Sequence, residues 1–260
     1  MIPFVKASAY GNDFLIIEES SVSASQRHEV TRKLCHRTTG VGADGVEWLA
    51  PGVVGESDTV ATLINADGSD AEVSGNGTRC VAAYLVQRSP AKRHLGIATG
   101  AGVKGCELVS IHEQTYTFAM HMGQVREVAD REASGVDGTF VDLGNPHFVV
   151  FVDTLPSNWR EIARQVQACS AVFPRGVNVE FVIVHSRASL SAHFYERGAG
   201  ETSSSGTGTC ASAVAAHHAQ LTNAHVEVRA PGGAQSVELR NDGIVLHGSA
   251  SLICAGEAWL

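Results

Sequence analysis

An internal repeat constrains this chain more than any other feature. Gly11-Asn12-Asp13-Phe14-Leu15-Ile16 resembles Gly144-Asn145-Pro146-His147-Phe148-Val149, with the two asparagines 133 residues apart. Gly45-Val46-Glu47-Trp48-Leu49 resembles Asn178-Val179-Glu180-Phe181-Val182 at the same offset of 133. Ser74-Gly75-Asn76-Gly77-Thr78 resembles Ser205-Gly206-Thr207-Gly208-Thr209 at an offset of 131. One such match is weak, but three in the same order at nearly one spacing are hard to reach by chance. The chain therefore reads as two similar halves presenting equivalent loops. If the halves face each other across a pseudo-twofold axis, those loops converge on an interdomain cleft, a common place for a small-molecule site. The alternative is an old duplication whose copies only pack.

Local patterns make both halves α/β (α+β). Phe14–Ile17, Val60–Ile64, Phe148–Val152 and Val179–Val184 are short runs rich in β-branched and aromatic residues, as strands are. Cys80–Val86 and Cys210–Ala216 are alanine-rich helical segments that follow the two repeated glycine loops. They are apolar nearly all round, so each is expected to be wrapped by the strands of its own half. A new strand begins at Thr115, which places a domain boundary near Glu113.

Composition narrows the function classes. The 260 residues suffice for one large domain or two of ordinary size, and a 44% hydrophobic, 18% charged chain is globular. Net charge is −8 with no Lys/Arg-rich block, so nucleic acid is not an expected partner. The apolar runs are strand-sized, far short of a membrane span, and Met1–Lys6 has no signal-peptide character. Six cysteines without C-x-x-C pairs read as reduced thiols of a cytoplasmic protein, and no metal site is expected.

Each S-G-x-G-T segment leads straight into a helix. Glycines let the backbone approach a ligand closely, and the first helical N–H groups are unpaired donors at the positive end of the dipole. Two such termini around one ligand suit a carboxylate; the plainer alternative is that Ser74 and Ser205 only cap their helices. Nearby sequence supplies Asn12, Asn65, Asn145, Asn178, Glu196 and Arg197. Asparagine gives neutral donors, arginine a bidentate carboxylate fork and glutamate a partner for an ammonium group. The set suits a zwitterionic amino acid carrying more than one carboxylate.

Six segments together resemble the diaminopimelate epimerase family. They are K-A-S-A-Y-G-N-D-F (6–14), G-V-G-A-D-G (40–45), N-A-D-G-S-D-A-E-V-S-G-N-G-T-R-C (65–80), G-N-P-H-F (144–148), R-G-V-N-V-E (175–180) and E-R-G-A-G-E-T-S-S-S-G-T-G-T-C (196–210). The resemblance implies two pseudo-symmetric domains, each a β-barrel wrapped around a central helix. It also implies a C-terminal strand that returns to the first domain, giving domains of 1–112 plus 249–260 and 113–248. The implied activity is interconversion of LL- and meso-diaminopimelate by two-base α-proton transfer, an isomerase step of lysine and peptidoglycan precursor biosynthesis. No cofactor is expected, and a homodimer fits the family. By the same resemblance, Asn12, Asn65, Asn145, Asn178 and Arg197 hold the distal end of the substrate. Glu196 and the Arg197 backbone meet the α-ammonium, and Gly75, Asn76, Gly206 and Thr207 bind the α-carboxylate. His147 and Glu196 match the groups that assist the catalytic thiols.

The departure from the family lies at the thiols themselves: the two catalytic cysteine positions are Ser74 and Ser205. A cysteine near pKa 8.5 can be lowered at a helix N-terminus to give a standing thiolate. A serine hydroxyl starts several units higher, at about 1.4 kcal/mol per unit, and a helix dipole effect of up to about 2 kcal/mol does not close that gap. Cys80 and Cys210 lie five or six residues further on, roughly 8–9 Å along a helix at about 1.5 Å per residue. Ser8 stands where relatives usually have His, Gly45 where some have Gln, and Glu72-Val73 and Ser203-Ser204 also differ from common family wording. Three explanations stay open: an engineered inactive Cys-to-Ser form, a natural Ser/Ser variant with altered substrate or chemistry, and a non-catalytic amino-acid-binding protein.

Overall fold

The computed structural model describes residues 1–71 and 73–259; Glu72 and Leu260 lie outside the described residues. The chain forms two compact units, one of residues 1–120 with 248–260 and one of residues 121–247.

In the first unit, strands β1 (Ile2–Ala9) and β2 (Asn12–Glu18) form a hairpin. Its turn residues Tyr10 and Gly11 both have positive φ, the geometry that matches a two-residue turn to strand twist. Helix α1 (Arg27–Cys35) follows, then β3 (Gly45–Pro51), β4 (Thr59–Asn65) and the short β5 (Asp70–Ala71). Helix α2 (Gly75–Arg88) precedes β6 (His94–Thr99), β7 (Gly102–His112) and β8 (Thr115–Gly123). β2 pairs with β3 in parallel, β3 with β4 antiparallel, β4 with β6 in parallel, and β6–β7–β8 run antiparallel. The returning C-terminal strand (Gly243–Ala258) pairs with both β1 and β8, which closes an eight-stranded barrel. Helix α2 packs against β1, β2, β4, β6 and β7 as the barrel's filling. This is why nearly every side chain from Asn76 to Ala83 is buried and why the helix carries no polar face.

In the second unit, β9 (Glu127–Ala133), β10 (Val136–Asp142) and β11 (Pro146–Phe151) precede helix α3 (Trp159–Gln167). Strands β12 (Asn178–Ser186), β13 (Ser189–Glu196) and the short β14 (Gly200–Thr202) lead to helix α4 (Gly206–His218). Then come β15 (His225–Ala230), β16 (Gly233–Arg240) and the first part of β17 (Gly243–Ala258). The pairing follows the first unit: β11 joins β12 in parallel as β2 joins β3, and β13 joins β15 in parallel as β4 joins β6. Helix α4 packs against β10, β11, β12, β13, β15 and β16.

Both faces of these sheets are covered. Val141, Val149, Val182 and Phe194 point inward onto Cys210, Ala211, Ala213 and Val214 of α4. Phe148, Val150, Val179 and Phe181 point outward onto Trp159, Ala163 and Val166 of α3. In the first unit, Leu15, Ile17, Val46 and Trp48 meet Val30, Leu34 and Cys35 of α1 in the same way, and Trp48 Nε1 donates to Thr31 Oγ1 at 3.1 Å. Strand alternation then assigns His147, Glu180 and Glu47 to the inner faces, because their neighbours along each strand face out.

Candidate functional site

Each unit carries a polar cluster built at the N-terminus of its central helix. Ser74 and Ser205 are the N-caps of α2 and α4, with extended backbone; their Oγ atoms accept from the Gly77 and Gly208 amides at 3.1 and 3.2 Å. Both serines therefore do cap their helices. The cap uses oxygen lone pairs and leaves each hydroxyl proton to donate elsewhere.

The two glycines of each loop differ in role. A side chain at Gly75 meets nothing within 4 Å, and at Gly206 only Leu246 and Met122 at 3.6 and 4.0 Å. The second glycine is tightly enclosed. A Cβ at Gly77 overlaps the Glu47 carboxyl, and one at Gly208 lies 2.9 Å from Phe194 and 3.0 Å from both Glu180 Oε1 and Ser205 Oγ. Thus the first glycine keeps the helix terminus open, while the second lets a buried glutamate sit against it.

In the first unit, Asn76 Nδ2 donates to Asn12 Oδ1 at 2.8 Å, and Asn12 Nδ2 donates to Asp44 Oδ2 at 3.1 Å. Arg37 bridges Asp44 and Asp13 at 2.7 Å, and Lys6 adds an ion pair to Asp13 at 2.9 Å. Despite partial burial, these two cations hold the Asp13 carboxyl below its ordinary range. Asn65 ends β4 in a turn, its Nδ2 donating to Ser69 Oγ at 3.0 Å. The next residue's amide donates to the Asp44 carbonyl. Asn12, Asn65, Ser74, Gly75 and Asn76 thus belong to one connected cluster.

In the second unit, Asn145 Nδ2 donates to Thr207 Oγ1 at 3.1 Å, the counterpart of the Asn12–Asn76 bond. Asn178 Oδ1 accepts from the Arg197 amide at 2.8 Å, and the Arg197 guanidinium donates to the Arg175 carbonyl. The Arg197 amide is therefore committed to Asn178. Glu196 is half-buried beside them; burial raises the Glu180 carboxyl, His147 opposes this, and the Glu196 charge adds to it. His147 is fully buried and pairs through Nδ1 with Glu180 Oε1 at 2.7 Å.

Glu47 and Glu180 are the residues that reading for polar loops misses. Both are fully buried charged side chains in apolar strands, at equivalent repeat positions. Charged groups are almost never buried unless paired, and Glu180 has His147. Glu47 has no counterpart partner, since Phe14 occupies the position equivalent to His147. Burial alone pushes the Glu47 carboxyl up to about 8. The available signal was an acid at the same place in both copies of the repeat.

The cysteines stand apart from this chemistry. Cys80 and Cys210 are buried within α2 and α4, and burial pushes the Cys80 thiol up; Cys35 and Cys106 are both raised to about 12. No group of three metal-ligating side chains is gathered among the described residues. No helix among them is long and apolar enough to cross a membrane.

The family model for diaminopimelate epimerase matches residues 4–128 and 139–253. The chain is 34% identical to the diaminopimelate epimerase of Clostridium perfringens, covering 97% of this chain and 98% of the relative. It is 35% identical to that of Corynebacterium glutamicum strain R, over 98% of each. Among solved structures, a probable proline racemase from Agrobacterium radiobacter K84 superposes with a TM-score of 0.70 at 14% identity, covering all of this chain and 93% of that one. A hydroxyproline epimerase from Agrobacterium vitis gives 0.67 at 15% identity, covering 99% and 91%. At such identities these two structures speak for the fold alone.

Proposed function

Because this chain belongs to the diaminopimelate epimerase family, we propose that it exchanges the α-proton of LL- and meso-diaminopimelate, inverting one stereocentre by proton transfer on opposite faces. The observation that carries this reading is the matched pair of serine-capped helix N-termini, each joined by hydrogen bonds to the polar cluster the substrate requires.

In this reading the α-carboxylate lies on the amides of Gly75, Asn76, Gly206 and Thr207. Glu196 and the Arg197 carbonyl accept from the α-ammonium, while Asn12, Asn65, Asn145, Asn178 and Arg197 take the distal amino-acid end. When the Cα–H bond breaks, its electron pair spreads onto the carboxylate, where helix dipoles and unpaired amides stabilise the added charge. A base on one face takes the proton and an acid on the other returns one. A cap serine is better suited to the acid role, since its oxygen accepts from the helix while its proton is available. The accepting role then falls to His147, whose Nδ1 is held by Glu180, and to Glu196. The reaction draws on side chains and helix termini, with no cofactor assigned. A cytoplasmic, homodimeric protein acting on a small amino acid fits this chemistry and the unpaired Cys35, Cys80, Cys106 and Cys169.

A second reading is a non-catalytic amino-acid binder, in which the two serine oxygens serve only as helix caps. Incubating the native protein with diaminopimelate in D2O separates the two. Deuterium entering the α-position supports the epimerase; saturable binding with the α-proton retained supports the binder.

A further inference from the structure

His147 and Glu180 form a closed pair whose consequence for proton transfer goes beyond the assignment of His147 alone. Glu180 lies on the inner face of β12 and His147 on the inner face of the adjacent parallel strand β11. Both side chains are fully buried, and Nδ1 to Oε1 is 2.7 Å, within the range of a charge-assisted hydrogen bond. The other ring nitrogen, Nε2, is buried and makes no hydrogen bond to any described residue. Glu180 is fixed in turn from the helix side, with Oε1 against Gly208 and close to the Ser205 cap. Oε2 is buried and makes no hydrogen bond to any described residue, and Glu196 adds negative charge nearby.

We infer that Glu180 is a positioning residue that reserves Nε2 of His147 as the only ring nitrogen to gain or lose a proton. The tautomer of a histidine is set by the hydrogen bond its other nitrogen makes. With one proton on the pair, the carboxylate accepts from Nδ1–H and Nε2 carries the lone pair of a base. With two, Nε2 carries a proton and is an acid, while the second proton stays between Oε1 and Nδ1. One proton enters or leaves at Nε2 in either direction, and no other bond changes. The buried pair therefore makes His147 a one-ended proton carrier, as inversion in both directions requires. This deepens the epimerase reading, since it rests on His147 taking part in proton transfer.

The test has a spectroscopic arm that does not depend on turnover. In the 15N-labelled full-length protein, the His147 ring signals are assigned by their loss in His147→Gln and followed through a pH titration. Nδ1 should stay protonated throughout while Nε2 alone moves. In Glu180→Gln, whose amide can donate as well as accept, Nδ1 should shift toward the lone-pair form as tautomers mix. In the turnover arm, Glu180→Gln should lower kcat for α-proton exchange about 10²-fold, with KM within about two-fold, and Glu180→Asp should restore part of it. If native turnover is too slow to read, the same changes are made on Ser74→Cys/Ser205→Cys protein. A native Nδ1 that loses its proton during the titration overturns the inference, and needs no variant to fold. So does a Glu180→Gln form with an unchanged tautomer, or one that turns over at the full rate. If the tautomer is fixed as described but no form exchanges any α-proton, the epimerase reading fails while the Glu180–His147 geometry stands.

Discussion

His147 Nδ1 lies 2.7 Å from Glu180 Oε1 with both side chains sealed from solvent, while for the equivalent acid of the other unit, Glu47, the repeat position of the histidine is held by Phe14. The two clusters share strand order, helix and serine cap, and at this pairing they differ. A buried carboxyl without a cation is neutral through most of the physiological range, and that neutrality has a measurable cost.

Glu47 should make the protein lose stability as pH rises. An unfolded glutamate titrates near 4.5 and the folded one near 8. Below 4.5 both states hold the proton and no difference arises. Between 4.5 and 8 only the unfolded chain gives it up, so unfolding is favoured more with each step in pH, and above 8 the loss levels off. The total is on the order of 5 kcal/mol. Urea unfolding at several pH values should show that Glu47→Gln flattens this slope relative to native protein. Parallel slopes would mean Glu47 is not buried as a neutral acid.

The glycines of the first loop should separate packing from binding. Gly77→Ala forces a methyl group into the Glu47 carboxyl and should destabilise by about 1–3 kcal/mol. Gly75→Ala meets open space and should leave the melting temperature unchanged or slightly raised, since alanine favours a helix. Its methyl group nevertheless crowds the anion cradle, so calorimetric affinity for diaminopimelate should fall. Equal melting temperatures for the two variants would contradict this division of roles.

Arg197 offers a test of the ligand. Its guanidinium is exposed and anchored to the Arg175 carbonyl, which leaves donors for a distal carboxylate. Arg197→Ala should weaken diaminopimelate binding by about 1.5–3 kcal/mol, the range for a charged hydrogen bond. Unchanged binding by calorimetry would remove a dicarboxylic diamino acid from consideration.

Much of this was legible in the sequence because the repeat places matched loops on matched elements. Ser74 and Ser205 start helices, and Asn12 and Asn145 each bond to the residue two beyond the serine of their unit, Asn76 and Thr207. The buried acids were harder to see. Strands β2, β3, β11 and β12 are covered on both faces, so inward and outward positions are equally apolar and alternation gives no sign of which way Glu180 points. Helices α1 and α3 begin 132 residues apart, at Arg27 and Trp159, yet share no motif. Each needs only an apolar stripe to cover its barrel, and many sequences supply one. The link from Asn12 through Asp44 to Arg37 joins residues distant in sequence, and no local pattern announces it.

The central claim is that this scaffold is built for α-proton transfer and that serine at positions 74 and 205 limits it. The measurement that tests it most directly is loss of the α-proton NMR signal of LL- and meso-diaminopimelate in D2O, comparing native protein with Ser74→Cys/Ser205→Cys. The double variant should exchange at least about 10²-fold faster, because a thiol ionises several units lower than a hydroxyl and both positions are helix N-caps, where a thiolate is stabilised. Each single variant should allow exchange on one face at most. If native protein epimerises rapidly and the cysteines slow it, serine is the evolved catalyst and the account of the serine hydroxyl is wrong. If no form exchanges either isomer, the fold retains the family's architecture without its reaction.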